Sequence, residues 1–355
     1  MSPQPKPWLS ALIPYVGGES TIKADAAKPI RLTSNEGALG ASPKALAAYA
    51  AGVSTLHLYP QASCLKLREA IAARYALDAG KIVCGNGSDD LILLLARAYA
   101  GIGDEVVVSK HGFSMYKIAA HSVGATVITA PETDYTTDMA ALLAAVTPQT
   151  RLVFIANPNN PTGTYLNKAQ VERLMEALPP SVLFVLDGAY SEYADAADYD
   201  DGLSLVEKYN NIIILRTFSK VHALAGLRLG WGYAAPGIIE ALNKMRAPFN
   251  VSAPAQAAGI AAMEDAAHLA ASVAHNTHWR ALLTERLKAL GYPVLPSQAN
   301  FLLFETGDKT DAVYQHLCAE NVYVRPVKSY DLPRHLRVTV GSAEDNQAFL
   351  AALSA

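Results

Sequence analysis

A lysine set among hydroxyls, in Arg216-Thr217-Phe218-Ser219-Lys220, ends a strand-like apolar run, and Arg228 follows eight residues later. A lysine that forms a Schiff base has to reach a carbonyl inside a pocket and lose its proton near neutral pH, which burial and neighbouring cations promote. Thr217, Ser219 and Arg228 are the kinds of group a phosphate takes. An aldehyde and a phosphate on one small molecule point to pyridoxal 5'-phosphate (PLP), with Lys220 on the aldehyde and the other three on the phosphate. A lone Ser-Lys pair is more commonly a solvated lysine after a buried strand. Other segments must therefore carry the reading.

Three segments at expected strand ends do so. Gly85-Asn86-Gly87-Ser88-Asp89-Asp90 opens the helical stretch 91–99. Its glycines permit a tight turn, Ser88 or Asp89 can cap the helix, and free N–H groups at a helix start bind anions. A dinucleotide loop would want a third small residue where Asp90 stands, so a phosphate is the better fit. The segment Asn157-Pro158-Asn159-Asn160-Pro161-Thr162-Gly163 follows the apolar run 152–156, and puts Asn160 at a strand's carboxyl end, where its amide can donate to a phenolate. Val185-Leu186-Asp187-Gly188-Ala189-Tyr190 repeats that geometry. A buried Asp187 needs a cation, which a protonated pyridine nitrogen supplies, and Tyr190 could reach the same ring.

The elements that must position these groups follow from the apolar pattern. From residue 81 onward, β-rich runs at 81–84, 105–109, 125–129, 151–156, 182–186, 212–216 and 229–234 alternate with Ala/Leu-rich helical stretches. Runs without polar alternation are strands covered on both faces, and helical crossovers between them imply a mostly parallel sheet. After Pro248 the texture changes: 251–291 reads as mostly helix, then 293–305, 322–326 and 336–340 as strands around another helix. The expected architecture is α/β, a large domain with a mostly parallel sheet flanked by helices plus a smaller α+β domain. The expected division is an arm at 1–30 packing with the small domain, a large domain at 31–246 and a small one at 247–355.

Composition is compatible with this. The chain has 355 residues, long enough for two lobes; 51% are hydrophobic and only 17% charged. A net charge of −3 gives no electrostatic reason to expect nucleic acid. Cys64, Cys84 and Cys318 are few, odd in number and far apart, which fits buried thiols in a reducing compartment. The first twenty residues contain four prolines and no apolar run long enough for a signal or a membrane span, so a cytoplasmic location is expected. His268, His275 and His278 share a helical stretch but lack a carboxylate or thiolate to complete a zinc pattern, and no metal is expected.

The spaced set Gly85–Asp89, Asn157–Gly163, Asp187-Gly188-Ala189-Tyr190, Ser219-Lys220 and Gly226-Leu227-Arg228 resembles the fold-type-I PLP aminotransferases, and within them the histidinol-phosphate aminotransferase family. The resemblance extends from Pro14-Tyr15 to Leu336–Gly341 and includes Ser34-Asn35-Glu36, Leu58-Tyr59-Pro60 and Phe113-Ser114-Met115-Tyr116. It implies that Lys220 carries PLP covalently, that Asp187 pairs with the pyridine nitrogen, and that Asn160 and Tyr190 hydrogen-bond the ring oxygen. Ser88, Asp89, Thr217, Ser219 and Arg228 would hold the phosphate, Tyr59 would reach it from the neighbouring subunit of a homodimer, and Phe113 would stack on the ring. Arg337 is similar to the family's carboxylate-binding arginine, with Tyr15, Asn35 and Arg325 completing the substrate site.

The implied reaction is amino transfer between a small-molecule donor and a 2-oxo acid, histidinol phosphate with 2-oxoglutarate first, as in histidine biosynthesis. An aromatic amino acid aminotransferase and a PLP-dependent decarboxylase of a phosphorylated amino acid share much of the motif set. A non-catalytic regulator is disfavoured, because nothing like a DNA-binding module precedes residue 30. Gly37-Ala38, His111-Gly112 and Gly17-Gly18-Glu19 depart from frequent family patterns near the expected substrate entrance.

Overall fold

A computed structural model describes residues 3–12, 14, 17 and 28–355. Its strands are β1 (Ile30–Leu32), β2 (Ile82–Gly85), β3 (Glu105–Ser109), β4 (Thr126–Ala130), β5 (Glu132–Thr133), β6 (Thr136–Thr137), β7 (Thr150–Ala156), β8 (Leu183–Asp187), β9 (Ile212–Thr217), β10 (Gly230–Ala234), β11 (Phe301–Glu305), β12 (Val322–Pro326) and β13 (His335–Thr339). The helices are α1 (Pro43–Gly52), α2 (Leu65–Tyr75), α3 (Ser88–Tyr99), α4 (Ser114–Ser122), α5 (Met139–Ala144), α6 (Lys168–Ala177), α7 (Pro236–Met245), α8 (Ala253–Glu264), α9 (Ala266–Ala289), α10 (Thr310–Ala319) and α11 (Ala343–Ser354).

Seven strands form the large sheet in the order β2-β10-β9-β8-β7-β3-β4, with only β10 running against the rest. Alternate residues of the central strands feed opposite cores: Val153, Ile155, Phe184, Leu186, Ile212 and Ile214 one, Leu152, Phe154, Leu183, Val185, Ile213 and Leu215 the other. That two-sided burial explains why these strands read as unbroken apolar runs. Helix α8 packs on α1 and α2, and Val251, Ala255, Ala258, Ala262 and Met263 enter the first of these cores. Hydrophobic packing thus continues past the expected boundary at 246–247. Helix α9 bridges, with Leu269 beside Tyr193 and Val221, and Trp279, Leu283 and Leu287 in the core of the second sheet.

That second sheet has the order β1-β12-β13-β11, with β1 parallel to β12 and the other pairs antiparallel. Leu302, Phe304, Val322, Val324, Leu336 and Val338 fill its own core. The two-residue period sends Phe301, Arg325, Arg337 and Thr339 to the opposite face, toward the large sheet. The expectation of a strand over 293–305 is corrected, because the strand begins at Phe301. Before it only Val294 makes an isolated bridge, to Phe304, and Ser297 Oγ turns back onto the Phe301 carbonyl at 2.7 Å. Pro293 and Pro296 lack the N–H groups that a continuous strand needs. Strand β1 was not expected: three residues are too short for a period, and their partners lie nearly 300 positions away.

Candidate active site

A cleft of about 460 Å³ opens between the carboxyl ends of the large-sheet strands and the polar face of the second sheet. Asn35, Ser88, Asp89, Phe113, Asn160, Asp187, Tyr190, Thr217, Ser219, Lys220, Arg228, Arg325 and Arg337, thirteen residues scattered over some 300 positions, all line it. Parallel strands put their carboxyl ends on one edge of the sheet, so residues just after β7, β8 and β9 converge there.

Lys220 follows β9, and its Nζ donates to the Ser34 carbonyl at 2.9 Å and lies 5.8 Å from the Tyr190 ring centroid. Burial, then the positive charge of Arg337, pull its amine down to about 8, against the opposing pull of Asp89 and Glu36. An amine so depressed can act as nucleophile and base near neutral pH. Asp187, the last residue of β8, is almost wholly buried. Its carboxylate accepts hydrogen bonds from the Tyr116 hydroxyl at 2.8 Å and the Ala189 N–H at 3.2 Å, and no ion pair reaches it among the described residues. Burial pushes its carboxyl up to about 6, although the Tyr116 bond opposes this. A carboxylate held at the floor of a cleft at such a cost is a receptor for a cation.

At the other end of the cleft, α3 begins after Gly87, which has a φ of 81°. The expectation that Ser88 or Asp89 caps this helix is corrected: no side chain caps it, and Asp90 instead accepts the Asn86 N–H at 3.0 Å. The first N–H groups of a twelve-residue helix therefore face the cleft without a side-chain acceptor. Arg228 stands beside them, donating to Ser219 Oγ at 3.5 Å and to Asp89 at 3.1 Å. Strand β10 passes so close that a Cβ on Gly230 would lie 2.4 Å from the Ser88 nitrogen. Uncapped N–H groups, a hydroxyl and a guanidinium are donors of the kind that could hold a phosphate dianion.

The opposite wall belongs to the second sheet. Arg325 and Arg337 are register partners on β12 and β13, and both line the cleft. Arg337 donates to Asn160 Oδ1 and, at 2.6 Å, to the Thr33 carbonyl, while its guanidinium lies 5.2 Å from the Phe301 ring centroid. With Oδ1 so engaged, the Asn160 amide nitrogen is left to donate elsewhere. Tyr190 is buried, and its hydroxyl accepts from Asn35 Nδ2 at 3.0 Å.

Tyr59 is not in the cleft. It is 83% exposed and stacks on Phe249 with ring centroids 4.6 Å apart. Tyr15 lies outside the described residues. Tyr116, which holds Asp187, was legible only as part of a matching segment; its place one helical turn after Phe113 did not reveal its partner. Asn300, whose amide donates to the carbonyls of Asn35 and Glu36 at 3.0 and 3.2 Å, carried no sequence signal, and Thr339, whose hydroxyl donates to Asn35 Oδ1 at 3.2 Å, was legible only as part of a matching segment. Gly37 has a physical reason, since a Cβ there would meet Ala223 Cβ at 2.6 Å and the Lys220 carbonyl at 2.7 Å. His268 and His275 reach the Gly40 and Gly341 carbonyls at 3.0 and 2.9 Å.

Residues 27–353 match the family described as "Aminotransferase class I and II". The chain is 48% identical over 356 aligned positions to the histidinol-phosphate aminotransferase of Paramagnetospirillum magneticum, covering 99% of this chain and 98% of the relative. It is 48% identical over 342 positions to that of Rhodospirillum centenum, covering 96% and 94%. Among solved structures, histidinol-phosphate aminotransferase from Sinorhizobium meliloti, determined in complex with PLP, superposes with a TM-score of 0.91 at 28% identity, covering 99% of this chain and 97% of that one. Sequence, cleft and comparisons agree, and the chain belongs to the class I and II aminotransferase family, among its histidinol-phosphate aminotransferases.

Proposed function

We propose that this PLP-dependent aminotransferase moves the amino group of histidinol phosphate to 2-oxoglutarate, in histidine biosynthesis. The observation that carries the substrate is the pair Arg325 and Arg337, side by side on neighbouring strands and facing the wall that holds Lys220 and Asp187. A phosphate monoester bears nearly two charges and takes several guanidinium bonds, while the α-carboxylate of glutamate needs one arginine.

The residues of the cleft fit PLP in three ways: an uncapped helix start beside Arg228 and Ser219, a buried carboxylate that no ion pair reaches among the described residues, and a lysine of lowered pKa. Bound, the cofactor supplies an electron sink that acidifies the carbon bearing the substrate amine. Ser88 and Asp89 N–H groups, Thr217, Ser219 and Arg228 hold its phosphate, and Phe113 covers the ring. Asp187 keeps a proton on the ring nitrogen. Asn160 and Tyr190 donate to the ring oxygen, Tyr190 being turned into place by Asn35. Lys220 Nζ removes the proton from the amine-bearing carbon and later delivers one, acting as general base and then general acid. Arg337 and Arg325, with Asn35 and Tyr15, orient the substrate.

Leu46, Tyr49, Val53, Leu56, Leu58, Tyr59, Leu65 and Phe249 are all exposed along or beside the α1–α2 segment. So much apolar surface on one stretch calls for a partner, and a second copy that brings Tyr59 to the neighbour's phosphate cradle meets that need. We read the working form as a cytoplasmic homodimer with shared sites. No helix among the described residues is long and apolar enough to cross a membrane.

The test is substrate kinetics on two variants. Arg325→Ala is expected to lower kcat/KM for histidinol phosphate by about 2 kcal/mol or more, the scale of a lost charged hydrogen bond, with less effect on glutamate. Arg337→Ala is expected to damage both half-reactions. Wild-type turnover of phenylalanine or tyrosine far above histidinol phosphate, with Arg325→Ala changing neither, would overturn the phosphate reading.

A further inference from the structure

Outside the groups assigned so far, a buried carboxylate–imidazole pair touches the machinery of the cleft. Glu132, on β5, accepts the backbone N–H of His111 at 3.0 Å with one carboxylate oxygen and pairs with its ring Nδ1 at 2.7 Å with the other. Both side chains are at least nine-tenths buried. One carboxylate thereby fixes the backbone and the ring of a residue at the carboxyl end of β3, two positions before Phe113.

The pair is linked to the loop that carries Asn160. The His111 carbonyl accepts from Asn159 Nδ2 at 3.3 Å, and the same amide reaches Thr162 Oγ1 at 2.9 Å. Thr162 and Thr164 share a hydroxyl contact at 2.8 Å, and Thr164 Oγ1 donates to the Tyr135 carbonyl at 2.8 Å, on the turn between β5 and β6. The Asn159 backbone closes the loop, accepting from Gly163 and donating to Thr164, each at 2.8 Å. The loop that presents Asn160 is therefore tied at Asn159 to His111 and at Thr164 to the hairpin that begins with Glu132. Its far side rests on Arg337, through Asn160 Oδ1. This is an arrangement that over-determines the direction of one amide nitrogen.

We infer that Glu132 and His111 are positioning residues for the reaction: by clamping the end of β3 they hold the Asn159 and Asn160 loop and Phe113 in register with the cofactor ring. This rests on the reading of Asn160 as a donor to the ring oxygen. A buried hydrogen-bonded pair of this kind is weak evidence for stability, because desolvation offsets most of its gain, whereas removing one partner strands the other. Its geometric consequence is the more informative property. Neither residue touches the cofactor or the substrate in this account.

The test compares purified holoenzyme variants by the pH at which the visible absorption of lysine-bound PLP changes, a readout of the hydrogen bonds to its ring oxygen. Asn160→Ala is expected to raise that midpoint by about one pH unit, the size of one lost charge-assisted hydrogen bond. Glu132→Ala is expected to move it in the same direction, Glu132→Gln much less, and Glu132→Ala with Asn160→Ala no further than Asn160→Ala alone. In kinetics, Glu132→Ala is expected to lower kcat about tenfold with the KM for glutamate little changed. If Glu132→Ala does not accumulate as folded protein, Asn159→Ala cuts the same link at its other end and is read the same way. A midpoint shifted by Asn160→Ala but untouched by Glu132→Ala and Asn159→Ala would overturn the positioning role and leave Asn160 in place. No shift in Asn160→Ala would remove both.

Discussion

Lys220 and Asp187 are moved by the same force in opposite directions. Burial disfavours charge, so the lysine falls to about 8 and the aspartate rises to about 6. With that value, about a tenth of Lys220 is neutral at pH 7, against a negligible fraction for an ordinary lysine. The rate at which apoenzyme captures PLP is accordingly expected to climb about tenfold per pH unit up to roughly pH 8 and then level off. Borohydride reduction is expected to fix the adduct on Lys220, and peptide mapping to another lysine would refute the assignment. For Asp187 the folded value lies above the unfolded one. The native apoenzyme then binds the extra proton, its stabilisation is full below about pH 4, and it is lost as pH rises through about 6. Asp187→Asn is therefore expected to stabilise the apoenzyme at pH 8, by up to about 3 kcal/mol, while costing several decades of turnover. Thermal unfolding of the apo forms at pH 5 and pH 8 checks the first half: a variant no more stable than wild type at pH 8 would contradict it.

At the scale of elements, the phosphate cradle depends on β10 passing under the start of α3. Gly230 pairs with both Gly85 and Thr217, so one strand residue braces the glycine loop on one side and the Thr217–Lys220 segment on the other. Its missing side chain is what permits the approach, since the obstacle to a Cβ is backbone, the Ser88 nitrogen and the Gly87 carbonyl carbon at 2.4 and 2.5 Å. Gly230→Ala is expected to cost about 1–3 kcal/mol of stability by overpacking, and to weaken PLP binding because the helix start is pushed out of line. Gly237→Ala, where no atom other than those of its chain neighbours and its helix's own backbone lies within 4 Å of the added Cβ and which is not part of the cleft lining, is the control and is expected to bind PLP normally. Fluorescence titration of the apo variants with PLP measures both, and equal affinities would contradict the cradle.

At the scale of the molecule, one lobe supplies the cofactor end of the cleft and the other the arginines. β1 carries the segment before α1 into the second sheet, and Thr33 and Asn35 just beyond it contact Arg337 and Thr339. Core packing past 246–247 keeps α8 with the large sheet, so the chain passes between the lobes in the segment 33–42 and again along α9. On the proposed homodimer reading, exposed Tyr59 would reach the phosphate site of the second copy. Mixing Tyr59→Phe subunits with Lys220→Ala subunits is expected to give hybrids with one native site and measurable recovery of activity. A fully active monomer in sedimentation would contradict the shared site.

The sequence by itself determined the large sheet and the chemistry at its edge. Seven apolar runs appear as strands within a residue or so of their expected places, because strands buried on both faces admit almost no polar residue. Lys220, Asp187 and Asn160 were legible because each comes within four residues of the end of such a run, and the carboxyl ends of parallel strands share one edge. Tertiary structure alone decided the rest. Tyr116 on Asp187, Asn35 on Tyr190, Asn300 beneath Asn35, and Glu132 behind His111 are contacts between residues 21 to 265 positions apart. No local period encodes such pairs, since each side chain looks like an ordinary helix, loop or hairpin residue until the chain closes around it. The three-residue β1 was hidden for a related reason, since it is a strand only because residues 322–324 lie beside it, while the start of α3 is left open because Gly87, which has no side chain, stands at its N-cap.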